Sequence, residues 1–254
     1  RFDTRGAERM VIDSLGNVGV GVSTTTARLE VDKDVVINGL ALGKGANSLA
    51  SNTALGVSAL ANVTSGKDNT AIGNLALQEN SIGGSNTAIG AVALQNNVGG
   101  VQNTALGSNA LPSNTSGKYN TALGFQALFG AQTGDGNTAV GEHTLHSLNT
   151  GSHNTVVGRD SGGSIASGSN NTILGAQVKG LNAALSNTVI LADGTGDIRL
   201  YSDNKGNTGI GTTNPIKTLM VDGTFQVSSG TTTNVYRNNA PATTRTTQDS
   251  DNFE

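Results

Sequence analysis

A beat of seventeen residues constrains this chain more than any other feature. Aligned on the dipeptide Asn-Thr, repeats begin at Asn52, Asn69, Asn86, Asn103, Asn120, Asn137, Asn154 and Asn171, each 17 residues after the last, and then at Asn187 after 16. With Asn as position 0, Thr stands at +1 in all nine units, Ala at +2 in the first six, and Leu, Ile or Val at +3. Gly fills +4 in eight units and +14 in seven, and Leu recurs at +8 from Leu60 to Leu145. Positions +5 and +6 vary freely, from Val57-Ser58 to Glu142-His143.

A period this short excludes helical repeats, whose units need one or two helices and would not carry Gly twice. It suits a β-solenoid in which each coil holds two short strands joined by tight corners, and like strands of successive coils pair in parallel. At a strand spacing of ~4.8 Å, nine such coils make a rod of ~43 Å. The glycines at +4 and +14 are expected in backbone conformations closed to residues with a Cβ. The asparagine column, Asn52 to Asn187, has two readings. Its amides form a ladder of hydrogen bonds along the axis, or Asn simply tolerates a corner; neither reading makes it a ligand.

Within Thr-Ala-Leu, neighbouring side chains point to opposite faces. Thr and Leu share one face and the repeated Ala the other. Because the Ala face stays small and apolar while +5 and +6 wander, both faces read as buried. Two large apolar side chains per coil bury little against the entropy of ordering seventeen residues, so the expectation is association along the Ala face, in a homotrimer.

Composition narrows the function classes. Among 254 residues there is no Cys and no Trp, and aromatic residues make up 3%. Disulfides and thiolate metal sites are excluded. Net charge is -3 with Lys and Arg scattered, which is no footprint for nucleic acid. No apolar run approaches the ~20 residues that span a bilayer, and "RFDTRGAERM" has no apolar signal core, so membrane insertion is not expected. The opening Arg reads as a processed product or a piece of something longer.

Four segments follow: an N-terminal hairpin module (1–39), the repeat solenoid (40–191), a second hairpin module (192–223) and a Thr/Asn/Ser-rich connector or tip (224–254). The two modules are copies. Each has a strand (Glu8 to Asp13; Asp197 to Ser202), a turn ending in Gly-Asn (Gly16-Asn17; Gly206-Asn207), then Gly-Val-Gly or Gly-Ile-Gly, then Leu-x-Val-Asp (Leu29 to Asp32; Leu219 to Asp222). Both read as a hairpin followed by a strand.

At these residues the sequence resembles bacteriophage tail fibres. "GNTGIGTTNPIKTLMVDG" looks like the segment that such fibres place ahead of a C-terminal intramolecular chaperone. The "NTALGxxAL" array is similar to fibre-shaft repeats and to head repeats of trimeric autotransporter adhesins. Over roughly residues 8 to 223 the resemblance implies a homotrimeric, β-rich, elongated part of a virion or another extracellular structure. The chain departs from the fibre pattern by reaching Glu254 without chaperone sequence. The alternative reading, the head of a bacterial surface adhesin, calls for a coiled-coil stalk and a membrane-anchoring barrel, and neither heptads nor barrel strands are present.

Chemistry-bearing patterns are sparse. His143, His146 and His153 fall at +6, +9 and +16 of one coil, where a metal on a trimer axis is conceivable and solvated corner residues are the simpler reading. Asp193 to Asp197, "DGTGD", lacks the alternating ligands of a calcium loop and reads as a turn. Gly19 to Gly21 and Gly209 to Gly211 are not phosphate loops, since no helix pattern follows. Glycan cleavage needs paired carboxylates, and the few acidic residues of the array (Asp68, Glu79, Asp135, Glu142, Asp160) sit at variable positions. An ice-binding array would rest on the single Thr column.

The expectation is therefore a structural shaft with no enzymatic activity, cofactor or metal. Its partners are itself, other tail or fibre proteins, and a host cell-surface glycan or protein. If a face recognises a host, it is the variable corner that includes Phe125, Glu142, His143, Arg159 and Asp160.

Overall fold

A computed structural model of the chain describes residues 2–4, 7–25, 29–31, 35–37, 40–46, 49, 51–229 and 232–237. Asp32 of the first module and residues 238–254 of the connector lie outside the described residues. The fold is nearly all-β. Nine short strands at the 17-residue interval, β7 (Thr53–Leu55), β8 (Thr70–Ile72), β9 (Thr87–Ile89), β10 (Thr104–Leu106), β11 (Thr121–Leu123), β12 (Thr138–Val140), β13 (Thr155–Val157), β14 (Thr172–Leu174) and β15 (Val189–Ala192), stack in parallel. Identical positions pair, Thr on Thr and Ala on Ala, as in Thr104↔Thr121 and Ala105↔Ala122. Between Asn52 and Thr188 the chain makes eight full turns of a β-solenoid.

The stack continues beyond both ends. β5 (Val35–Ile37) and β6 (Leu40–Gly43) join β7 antiparallel, while β16 (Ile198–Ser202), β17 (Thr208–Ile210) and β18 (Leu219–Val221) extend it past β15, giving one 14-stranded sheet. A separate sheet holds β1 (Phe2–Thr4), β2 (Ala7–Ile12), β3 (Val18–Val20) and β4 (Leu29–Val31). The two modules are copies in structure as well. Met10↔Val20 and Val18↔Leu29 in one correspond to Leu200↔Ile210 and Thr208↔Leu219 in the other. Their turns match too, with the Asp13 and Asp203 carboxylates accepting from Asn17 and Asn207. The Thr25 hydroxyl and the Asn17 amide lower the Asp13 carboxyl to about 2. Within the connector, β19 (Thr224–Ser229) and β20 (Thr232–Arg237) pair as an antiparallel hairpin.

Each coil has one strand rather than two. Beyond β7 to β14 the backbone alternates the sign of φ, with left-handed residues at +6, +8 and +16, such as Val92 (φ 65), Leu94 (φ 49) and Gln102 (φ 57). Each reversal turns the peptide group, so N–H groups bond alternately backward and forward: Leu75 N–H to Val57 O, then Leu77 N–H to Ala93 O. Inter-coil bonding therefore persists without a second ladder of extended strands. Position +6 is free in side chain but constrained in backbone.

The two glycine columns have different causes. At +4 φ lies between 131° and 150° (Gly141 and Gly56), a region open only to glycine. At +14 φ is ordinary, and contact decides: a Cβ on Gly117 would overlap the Gly134 carbonyl and the Asn114 side chain.

The asparagine column is a ladder. Each Asn Oδ1 accepts the backbone N–H of the next Asn, from Asn69 on Asn52 (2.9 Å) to Asn171 on Asn154 (3.2 Å). Each Nδ2 holds the +14 carbonyl of its own coil, as Asn103 does at Gly117 (2.8 Å). Asn187 does not belong. It stands exposed and left-handed at +16, and Thr188 takes position 0, its N–H on Asn171 Oδ1. The pairing Ile173↔Ile190 keeps the 17-residue register, so the ninth Asn-Thr is displaced by one residue.

The alanines lie inside the coil of a single chain. Ala54, Ala71, Ala88, Ala105, Ala122 and Ala139 are fully buried, together with the +7 alanines and the +8 leucines. They are not an association face, because the coil is thin and only small residues at +2 and +7 leave room for Leu at +8. The other strand face is the open one, with Leu106, Leu123, Val157, Leu174 and Leu191 each about two-fifths exposed. Where Gly162 replaces Leu at +8, the interior is refilled by Val156 and Ile165.

A second, shorter ladder runs through the +11 column, with Asn97 Nδ2 on Asn80 Oδ1 and Asn114 Nδ2 on Asn97 Oδ1, both at 2.6 Å. The same column carries Val63, Ala131, Leu148 and Ile165, all buried. Asn97→Leu alone strips Asn80 Oδ1 of this donor and is expected to cost about 1–3 kcal/mol. The triple change N80L/N97L/N114L should be near neutral, because Gly83, Gly100 and Gly117 keep their bonds to Asn69, Asn86 and Asn103. Chemical denaturation of both variants checks this. Val92 is β-branched in the left-handed region, whereas Asn109 holds the same position one coil later. Val92→Asn should stabilise the fold by about 1 kcal/mol, read as a higher melting temperature.

Candidate functional site

The variable corner gathers chemistry at one place on the rod. Because coils are in register, residues 17 apart in sequence are neighbours in space. Phe125, Glu142 and Arg159 form the +5 column, and His143 and Asp160 belong to the +6 column beside it. The Phe125 and His143 rings meet edge to face at 5.4 Å. His143 Nδ1 lies 3.3 Å from Asp160 Oδ1 and 4.0 Å from Glu142. Arg159 donates to Asp160 Oδ2 at 2.9 Å. All five residues of the sequence-expected contact corner thus form one patch.

Three further residues complete it. Phe129 and His146 occupy +9 of adjacent coils, and their rings stack face to face at 5.0 Å and 3°. His146 also meets His143 edge to face at 5.7 Å. Burial, and then the neighbouring His143, lowers the His146 pKa below the ordinary imidazole value. Lys179 approaches Asp160 Oδ2 at 3.7 Å. An open groove of about 440 Å³ lies among His143, His146, Asp160, Ser164 and Lys179, with Gly163 and Gly180 as floor. The signal for Phe129, and for the place of His146 beside it, is the +9 column, which runs Ala61, Gln78, Gln95, Pro112, Phe129, His146, Gly163, Gly180; for Lys179 it is the +8 column, whose leucines end at Leu145.

Other sequence patterns do not join this site. His153 lies on a different corner, its ring against Gly136. Among the described residues no group of three His, Asp or Glu could hold a metal ion. The "DGTGD" turn links β15 to β16: the Asp193 carboxylate accepts from Thr195, Asp197 and Arg199. The Thr195 hydroxyl and the Arg199 guanidinium hold it well below the usual carboxylate range. Gly19 and Gly209 sit in strands β3 and β17. No helix among the described residues is long and apolar enough to cross a membrane.

Comparison with models of known protein families, with curated proteins and with solved structures gives no match. In the free protein, His146 should titrate below the ordinary imidazole range, and His143→Ala should move its midpoint upward. Proton NMR of the imidazole resonances against pH reads both values.

Proposed function

We propose that this chain is a shaft segment of a phage tail fibre, working as a homotrimer on the outside of the virion. In this role it gives length and stiffness and carries a surface that contributes to attachment to a host cell. The observation that carries the reading is the open strand face. Thr at +1 and Leu, Ile or Val at +3 repeat in register from β7 to β14 and leave an aliphatic stripe along the rod, two-fifths exposed at Leu106, Leu123, Val157 and Leu174. An apolar stripe of this length marks an interaction surface. A second and third copy aligned along the same axis would cover it over its whole length, since the coil repeat is the same in each.

Stiffness has its own support. The described backbone is bonded coil to coil repeatedly around each turn, and the ladder of buried asparagines ties successive coils along the interior. The resemblance of the repeats and of "GNTGIGTTNP" to tail-fibre segments supplies the setting, with other tail or fibre proteins as neighbours.

Light scattering tests it. A trimer gives about three times the 25.5 kDa chain mass, and L106K/L123K on the stripe should lower the mass to that of one chain while the β-type circular dichroism spectrum persists. A well-folded single chain for the unaltered protein removes the reading.

A further inference from the structure

The groove beside His146 is a gap in a column of side chains. Along +9, Phe129 stacks on His146, and the next two residues of that column, Gly163 and Gly180, have no side chain to continue the stack. One face of the imidazole is covered by Phe129, and the other looks along the column toward the glycines that floor the groove. A flat-faced ring laid over Gly163 would take the place of the missing side chain.

The rim states what kind of ring. Asp160 offers a carboxylate acceptor, Ser164 a hydroxyl oxygen and Lys179 an ammonium donor, all lining the groove. Alternating donors and acceptors around an apolar face match a pyranose, which has C–H bonds on its faces and hydroxyls at its edge. A plain aromatic ring would offer Asp160 and Lys179 no hydrogen bond in place of the water it displaces from them. Arg159 and Lys179 are balanced by Glu142 and Asp160, so the patch carries no excess of fixed positive charge to draw an anionic sugar or a phosphate. A second groove of about 330 Å³ adjoins the first through Lys179 and Gly180 and is lined by Tyr201 and Thr213. The two together suit a chain of rings running along the rod.

We infer that this corner is a binding site for a neutral hexose oligosaccharide, one ring stacking on His146 over Gly163 and the chain continuing toward Tyr201. The inference rests on the attachment reading for the source of the sugar, a cell-surface glycan, and on the groove alone for its chemistry. Phe129 is a positioning residue: it holds the His146 ring from behind. Phe125, Glu142 and Arg159 belong to the patch and do not line the groove.

The test is calorimetric titration of the whole chain with short fragments of dextran, mannan and galactan. A uronic-acid oligomer and a mononucleotide serve as the charged arms. Binding of at least one neutral oligomer is expected, weakened at least about tenfold, equivalent to about 1.4 kcal/mol, in Gly163→Gln and in His146→Gln. Both variants place at +9 the residue found at Gln78 and Gln95, and Gly163 has an ordinary φ with open space at its Cβ, so the fold tolerates them. Unchanged melting temperature and particle mass confirm that the slot, not the rod, is altered. Neutral-sugar binding that survives both substitutions, binding confined to the charged arms, or no binding by any of the oligomers overturns the inference. A single-chain mass with intact sugar binding would instead remove the fibre reading and leave the slot in place.

Discussion

The amide of the ladder asparagine is the contact on which this architecture depends. At position 0 the chain has just left a corner, and no extended partner is available for the backbone N–H. The Oδ1 of the preceding coil takes that N–H, and the Nδ2 on the same side chain takes the +14 carbonyl of its own coil. One side chain therefore ties coil to coil and braces a corner within the coil. Buried and fully bonded, it stabilises; with either partner removed, the same amide would become a buried unsatisfied group. Shorter Ser or Thr cannot do both, which is visible at Thr188: its N–H closes the ladder, and its hydroxyl turns back to Ser186 instead of onward.

A regular stack lets a local strain recur without disorder. Leucines at +8 adopt φ near 50° in six successive coils, a region where the Cβ crowds the following carbonyl oxygen. They are held there because the reversed peptide is what directs Leu77 N–H onto Ala93 O, and because the side chain then fills the coil interior. Hydrogen bonding and burial together outweigh the backbone cost at each rung. The small residues at +2 and +7 follow from the same leucine, since they flank it inside the coil and a larger side chain at either would compete for the space it fills.

Much of this was legible in the sequence. The 17-residue beat implied stacked coils and equal-on-equal pairing, and the Asn column implied either a ladder or a corner. Other features were not legible, for physical reasons, among them the single strand per coil, whose second side is built from alternating φ that composition does not signal. Strict alternation within Thr-Ala-Leu separates two faces but does not say which is inside, and small apolar residues fit equally a tight interior and a close subunit contact. The slip at Asn187 was hidden because Asn-Thr recurs there as a dipeptide, while the structure follows the apolar triplet Val189-Ile190-Leu191. The +5 and +6 residues announced a corner by their variety; Phe129 and Lys179 did not, because +9 holds Ala, Gln or Pro and +8 holds Leu in earlier coils, and His146 stood out only as one of three histidines.

The position of the sugar slot follows from how the interior is filled. In the first six coils Leu at +8 fills the core, and the corner beyond it must hold that leucine in place. From Val156 onward the core is filled instead from the strand, by Val156, Ile173 and Ile190, with Ile165 at +11. That exchange releases +8 from packing, so Gly162 and then the exposed Lys179 can stand where a buried leucine stood. It also releases +9, where two glycines open the groove. A corner can be recruited for recognition only where the core no longer depends on it, and in this chain that condition is met over the last two coils, beside the residues that carry the aromatic and charged groups.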